Sequence, residues 1–187
     1  NPPTDTVLRD KLTQFNALLP QYDVIVLSDY AKGSLVNVAQ MIASARKLGK
    51  RILVDPKGDD FSPYAGASML TPNKGELRRI VGTWKTEEEL TAKAQQLRVA
   101  LELEALLLTR SEEGMTLYTE QEVIHMSAMA REVYDVSGAG DTVIATMAVM
   151  LGAGVPMAEA VAIANRAGGI VVGKLGTATV TKEELFS

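Results

Sequence analysis

The chain has 187 residues, 47% hydrophobic and 22% charged, with a net charge of −4; that is the balance of a globular domain with enough chain for a sizeable core, and it gives no pull toward polyanions such as nucleic acid. It has no cysteine and one histidine, His125, which excludes disulfides, thiolate metal sites, a cysteine nucleophile and a multi-histidine metal cluster. No apolar run reaches the ~20 residues of a bilayer span, and the opening NPPTDTVLRD has neither a basic head nor an apolar core, so the cytoplasm is the expected compartment.

In chain order, Asp23–Asp29 (DVIVLSD) is a short β-branched run of the kind buried in parallel sheets. Leu35, Val38, Met41, Ile42 and Ala45 recur at helical spacing as far as Gly49, a stop signal. Arg51–Asp55 (RILVD) reads as a second strand and Ser68–Thr71 as a short third, ended by Pro72. A short helix is expected over Glu76–Val81, and Thr86 with Glu89 forms a capping box opening a helix to about Leu101. Ala105–Thr109 (ALLLT) is another buried strand, while Met115–Tyr118 and Glu122–Met126, more often broken by polar residues, read as an antiparallel pair. Helices are expected from about Gly140 to Leu151 and from Met157 to Val172, and Thr181 with Glu184 boxes a last short one. This alternation predicts one α/β domain, a layered fold with a mostly parallel central sheet. Ligands of such sheets bind beyond the carboxyl ends of the strands, where the polar clusters Ser28–Gly33, Asp55–Gly58, Thr71–Glu76 and Thr109–Gly114 fall.

The stretch DVSGAGDTVIA, Asp135 to Ala145, places Gly138, Ala139 and Gly140 just ahead of a helix. A helix start leaves backbone N–H groups unpaired and carries partial positive charge. Small residues let an anion approach those groups, so the turn suits a phosphate or a developing oxyanion. Asp141 opposes anion binding unless it has a task of its own. Two readings fit it equally on spacing alone: a helix cap, or a base that takes the proton of a hydroxyl about to attack a phosphoryl group. At Gly140 a branched side chain is expected both to block the anion and to strain the backbone. Two rival motifs fail. The dinucleotide pattern G-x-G-x-x-G/A meets Val143 at its third small position, and the P-loop-like run Gly168–Lys174 is followed by Leu175 in place of a serine or threonine.

Asp135-Val-Ser-Gly-Ala-Gly-Asp141 resembles the D-[TV]-x-G-A-G-D signature of the ribokinase-like (PfkB) carbohydrate kinases. Thr71-Pro72-Asn73-Lys74-Gly75-Glu76 matches that family's T-P-N-x-x-E, and Thr109-Arg110-Ser111-Glu112-Glu113-Gly114 stands where it has T-x-G-x-x-G, with Ser111 in place of the first glycine. Asn165 and Lys174-Leu175-Gly176 fall where the family closes its adenine pocket. The resemblance implies a ribokinase-like fold and ATP-dependent phosphoryl transfer, with Asp141 as base and Gly138–Gly140 as anion hole. It implies nucleotide contacts from Asn73, Lys74, Gly75, Glu76, Thr109, Ser111, Glu112, Gly114, Asn165, Lys174 and Gly176, and magnesium reached by Glu76 through water. Ser28-Asp-Tyr-Ala-Lys-Gly33, Asp55-Pro-Lys-Gly58 and Val172-Gly-Lys-Leu-Gly-Thr177 narrow the likeness to the bacterial heptose 7-phosphate kinases. Those act on the C1 hydroxyl of D-glycero-β-D-manno-heptose 7-phosphate, toward ADP-heptose and lipopolysaccharide.

The resemblance also implies a homodimeric parent, in many bacteria fused to an adenylyltransferase. The family's first strands, Gly-Gly sugar motif and β-lid have no counterpart in these residues, so the expectation is the nucleotide-and-base part of a larger kinase domain, impaired alone and prone to self-association. Lys32, Lys57 and Arg110 are candidate phosphate contacts or ordinary surface charges in equal measure. Asn73 with Glu76 could merely end a strand and start a helix, but beside the glycine turn the magnesium and ATP reading is favoured. Another ribokinase-like sugar or nucleoside kinase, and a nucleotide-binding module without chemistry, remain as alternatives. His125 is expected to pack on a strand face without a catalytic role.

Overall fold

The computed structural model describes residues 3–33, 35–129 and 134–187. Its centre is a sheet of six strands in simple sequence order: β1 (Val24–Ser28), β2 (Arg51–Asp55), β3 (Met69–Leu70), β4 (Ala105–Thr109), β5 (Met115–Tyr118) and β6 (Val123–Met126). β1 to β4 are parallel; β5 and β6 return antiparallel. Around them stand α1 (Asp5–Leu18), α2 (Val38–Lys47), α3 (Lys74–Val81), α4 (Glu87–Ala100), α5 (Ala139–Gly152), α6 (Met157–Val172) and α7 (Lys182–Phe186).

The two faces of the sheet follow from the period of two along each strand. Leu27, Ile52, Val54, Leu70, Leu106, Leu108 and Tyr118 share one core with Met41 and Ile42 of α2, Leu77 of α3 and Leu90 of α4. The alternate residues Leu53, Met69, Ala105, Leu107 and Leu117 share the other with Val143, Ile144 and Met147 of α5 and Val161 of α6. Right-handed crossovers that always step the same way leave α2, α3 and α4 on one face; α5 and α6 then cover the second.

Several boundaries differ from the sequence expectation. α3 begins two residues earlier than Glu76, because Asn73 caps it and Glu76 is its third residue. At α4 the Thr86 side chain does accept from the Glu89 N–H, yet the Glu89 carboxylate turns to the Lys85 N–H instead of closing the box. α1 was not foreseen at all. Thr4 caps it, and Leu12 and Phe15 lay it against the core of the α2 face.

Candidate active site

The orientation of α5 decides where the glycine turn lies. Its last residue, Gly152, packs on Val24 at the start of β1, where an added Cβ would come 3.5 Å from the valine side chain. A helix of 14 residues is about 21 Å long, enough to run back along the whole of β1. The first turn of α5 therefore sits at the carboxyl ends of the parallel strands. Ser28 and Asp55 are directly opposite each other there. Alternation from Leu27 and Val54 points both toward α5. The Ser28 hydroxyl oxygen is buried with no hydrogen-bond partner among the described residues.

Gly138 is the N-cap of α5, in the left-handed conformation at φ 78°, and no side chain caps the helix. The Asp135 carboxylate accepts from the Ser137 N–H at 2.8 Å, tightening the approach to the turn. This bond and a further backbone contact from Gly176 hold its carboxyl below the usual range. The positive φ is at Gly138, and Gly140 is helical. The strain expected at Gly140 is thus absent: a Cβ there would meet nothing within 4 Å. Gly140 faces open space, which a phosphate can enter. Thr177 comes within 3.4 Å of a Cβ built on Gly138, so the loop after α6 closes one side of the turn.

Asp141, in the first turn of α5, is exposed. Its charge reaches Asp55, whose carboxyl is pushed up to about 6: burial is the main cause, Lys57 works against it, and the charges of Glu76 and Asp141 add to it. Lys57 joins the two strand-end loops. Its ammonium lies 2.5 Å from Glu76 Oε1 and 3.6 Å from Asp55 Oδ1. Burial alone would lower the Lys57 pKa, but the hydrogen bond to Glu76 and the two carboxylates raise it above the usual value.

The TPNKGE segment forms a closed corner. Asn73 Oδ1 accepts from the Glu76 N–H at 2.9 Å, and Glu76 Oε2 accepts from the Asn73 N–H at 2.8 Å. Glu76, buried, thus has one oxygen on the backbone and the other on Lys57. The pair thus ends a strand and caps a helix, and it leaves lone pairs for water. Lys74 reaches across to Glu113 at 2.5 Å, tying this corner to the segment after β4. Among the described residues no group of three acidic or histidine side chains could hold a metal by itself. The donor set therefore fits a hydrated magnesium carried by phosphates, which keeps most of its waters, and not a dedicated protein cage.

After β4, Ser111 adopts φ 56° where the resemblance has glycine. Gly114, at φ 88°, cannot carry a side chain, because a Cβ would overlap the Met126 carbonyl oxygen and the Ala128 nitrogen. Arg110 is buried and spends every N–H inside the protein. Its guanidinium meets Glu87, Glu113 and the Thr116 hydroxyl through five hydrogen bonds of 2.6–3.2 Å. No donor is left for a phosphate without breaking that set. Thr116 continues the chain to His125 Nδ1 at 3.0 Å, so His125 lies on the strand face as expected. A cavity of about 500 Å³ opens beside Arg110, with Glu87, Glu112, His125 and Ser127 in its lining, and Asp141 does not line it.

Asn165, buried on α6, donates to the Ser127 carbonyl at 2.8 Å and pins α6 to the end of β6. Lys174 is held by Glu184 and the Thr179 carbonyl. Gly176, at φ 70°, turns the loop toward Thr177 and the glycine turn. Lys32 is exposed on the loop after β1. The geometry thus gathers Gly138–Asp141, Asp55, Lys57 and the Asn73–Glu76 corner at one end of the sheet. It joins Lys74, Glu113 and Arg110 in a second group. Sequence reasoning places Ser28, Asp29 and Asp55 in polar clusters at the strand ends without giving any of them a role, and it does not reach Tyr64. The signal for Ser28 and Asp55 was the polar ending of two otherwise apolar strands.

No helix among the described residues is long and apolar enough to cross a membrane. The profile of the pfkB family carbohydrate kinases matches residues 2–184. The chain is 59% identical over 167 residues to a D-beta-D-heptose 7-phosphate kinase of Bordetella bronchiseptica, covering 89% of this chain and 53% of that protein. It is 55% identical over 176 residues to the bifunctional protein HldE of Shewanella amazonensis, covering 94% of this chain and 37% of that one. The chain thus spans about half, or less, of the length of these relatives. Among solved structures, phosphofructokinase-2 of Escherichia coli in complex with potassium superposes with a TM-score of 0.80 at 19% identity, over 94% of this chain and 60% of that one. Ribokinase of Arabidopsis thaliana complexed with ribose and ATP superposes with a TM-score of 0.75 at 24% identity, over 94% of this chain and 55% of its own. The fold is ribokinase-like.

Proposed function

The chain belongs to the pfkB family of carbohydrate kinases, and from that premise we propose that it carries the nucleotide and base half of a cytoplasmic kinase that phosphorylates the C1 hydroxyl of D-glycero-β-D-manno-heptose 7-phosphate. The acceptor follows the heptose 7-phosphate kinase to which it is 59% identical. The observation that carries the reaction is the bare N-terminus of α5, with Asp141 in its first turn and within electrostatic reach of Asp55.

The acceptor hydroxyl gives its proton to the Asp141 carboxylate as its oxygen bonds to the γ-phosphorus of ATP, and the bond from that phosphorus to the β,γ-bridging oxygen breaks to leave ADP. The carboxylate is exposed in the first turn of α5, within reach of an incoming hydroxyl. The Gly140 N–H, at a helix start that no side chain caps, faces the charge on the transferring group, a donor typically worth about 10²–10³ in rate, while the Ala139 N–H is bonded to the Val136 carbonyl and shapes the turn. Magnesium, when bound, would neutralise phosphate charge; Glu76 would orient one of its waters, and Asn73 would hold Glu76 in place. Lys57 keeps Glu76 and Asp55 together as a fixed cation and is not free to grip a phosphate. Lys32, exposed and without an ion pair among the described residues, is the cation we assign to the acceptor phosphate, and Arg110 has no part in either contact. Asn165, Lys174 and Gly176 shape the loop that closes over the nucleotide.

We place the remaining acceptor contacts in the length that the relatives have and this chain does not span, so turnover by these 187 residues alone is slow. The longer protein is proposed to be a homodimer, joined in bifunctional forms to an adenylyltransferase. The test is ADP release with ATP, magnesium and heptose 7-phosphate, beside a calorimetric titration with ATP–magnesium. Acceptor-dependent release above the ATP-only rate supports the kinase. ATP binding with no acceptor-dependent release would leave a nucleotide-binding module.

A further inference from the structure

The loop after β1 and the loop after β2 meet on one side chain. Tyr64, buried in a 3-10 turn, stacks edge-on to Phe61 with ring centroids 5.7 Å apart. Its hydroxyl donates to Asp29 Oδ2 at 2.7 Å and accepts from the Lys57 N–H at 3.3 Å. Asp29 in turn takes the Ala31 N–H on Oδ1 at 2.7 Å. Ala31 has φ 53°, a left-handed conformation that costs a residue with a Cβ about 1–2 kcal/mol and persists only where surroundings enforce it. The enforcing group is the Asp29 carboxylate, and Tyr64 fixes that carboxylate. Burial, together with the Asp29 carboxylate, pushes the phenol pKa well above its ordinary value, so the hydroxyl remains a donor at any working pH.

We propose that Tyr64 is a positioning residue: through Asp29 it sets the loop that carries Lys32, and through the Lys57 backbone it sets the ammonium that holds Glu76 and Asp55 before Asp141. The catalytic part of this rests on the kinase reading above; the latch itself does not. Because Ala31 and Lys57 lie on different loops, a single hydroxyl makes the placement of both strand ends one event. The anion turn at Gly138–Gly140 is outside the latch.

Tyr64→Phe removes the hydroxyl and keeps the ring. Amide hydrogen exchange then separates the cases. In Tyr64→Phe both the Ala31 and Lys57 amides should exchange roughly 10-fold faster, while Leu53 and Leu107 in the core stay as they were. In Asp29→Ala the Ala31 amide should speed up and the Lys57 amide should keep its protection, because its partner is still present. Unchanged exchange at Ala31 and Lys57 in Tyr64→Phe would overturn the latch. In kinetics, Tyr64→Phe should raise the acceptor KM about 10-fold and leave the KM for ATP within about twofold. Lost protection with an unchanged acceptor KM would overturn the positioning role. Absence of acceptor-dependent ADP release in the unmutated chain counts against the kinase reading, and the latch is then judged on exchange alone.

Discussion

Two corners of the same sheet end are built on opposite terms. At the start of α3 every strong polar group has a partner: Asn73 and Glu76 cap each other, and Lys57 closes on Glu76. At the start of α5 no side chain caps the helix, Gly140 opens on empty space, and the nearby Ser28 hydroxyl is buried and unpaired among the described residues. A helix terminus that is left bare while its neighbour is fully satisfied is suited to complete itself with a ligand. The closed corner supplies rigidity; the open one supplies the contact with the transferring group.

That comparison can be broken in four places, from the largest effect to the smallest. Asp141→Asn should lower kcat by roughly 10²–10⁴-fold and leave ATP affinity by calorimetry near the parent's. A near-normal kcat would make Asp141 a helix-start charge and nothing more. Gly140→Val should cost about 10²–10³-fold in rate. Because the residue is helical and its Cβ direction is free, its thermal unfolding should match the parent's, so lost activity with an unchanged Tm is the signature of a filled anion site.

The closed corner should behave the other way round. Glu76→Ala removes the buried carboxylate that ties the Asn73 N–H to the Lys57 ammonium, a loss of about 1–3 kcal/mol. For a domain of this size that is about 2–4 °C in Tm for each kcal/mol, read by calorimetry. An unchanged Tm would show that the corner is not the rigid one. The smallest effect is at Asp55. Its folded pKa of about 6 lies above its ordinary 3.8, so the stability it contributes is full below pH ~4 and is lost as pH rises through 6. Asp55→Asn should therefore stabilise the chain at pH 7.5, by about 1 kcal/mol once screening is allowed for, and should give no gain at pH 4. A gain of the same size at both pH values would contradict the crowded-carboxylate picture.

Much of the fold was legible because its signals are local. β2, β4, β5 and α6 fall on the residues their runs predict, and the Thr181–Glu184 box opens α7 as read. α1 went unread although Thr4 caps it and Leu12 and Phe15 stand on its inner side, since a helix with no fully buried residue gives a weak apolar pattern. The seven-residue run to Asp141 was legible as a candidate site because its chemistry is contained in the run. Arg110 shows the limit. Nothing local tells that Glu87, 23 residues away, occupies its guanidinium. The Tyr64–Asp29 bond spans 35 residues and joins two loops that only the sheet brings together. Ser111 shows a third kind of gap: the departure from glycine was visible, while the left-handed backbone it nonetheless adopts was not.

The most direct test of the account is where the phosphates of ATP land. In a ¹⁵N-labelled chain titrated with ATP–magnesium, the Gly140 amide resonance should shift with saturation. The Asn73 and Glu76 amides, already bonded within their cap, should move much less. A stationary Gly140 resonance at saturating ATP would contradict the claim that the open start of α5 is the phosphoryl site.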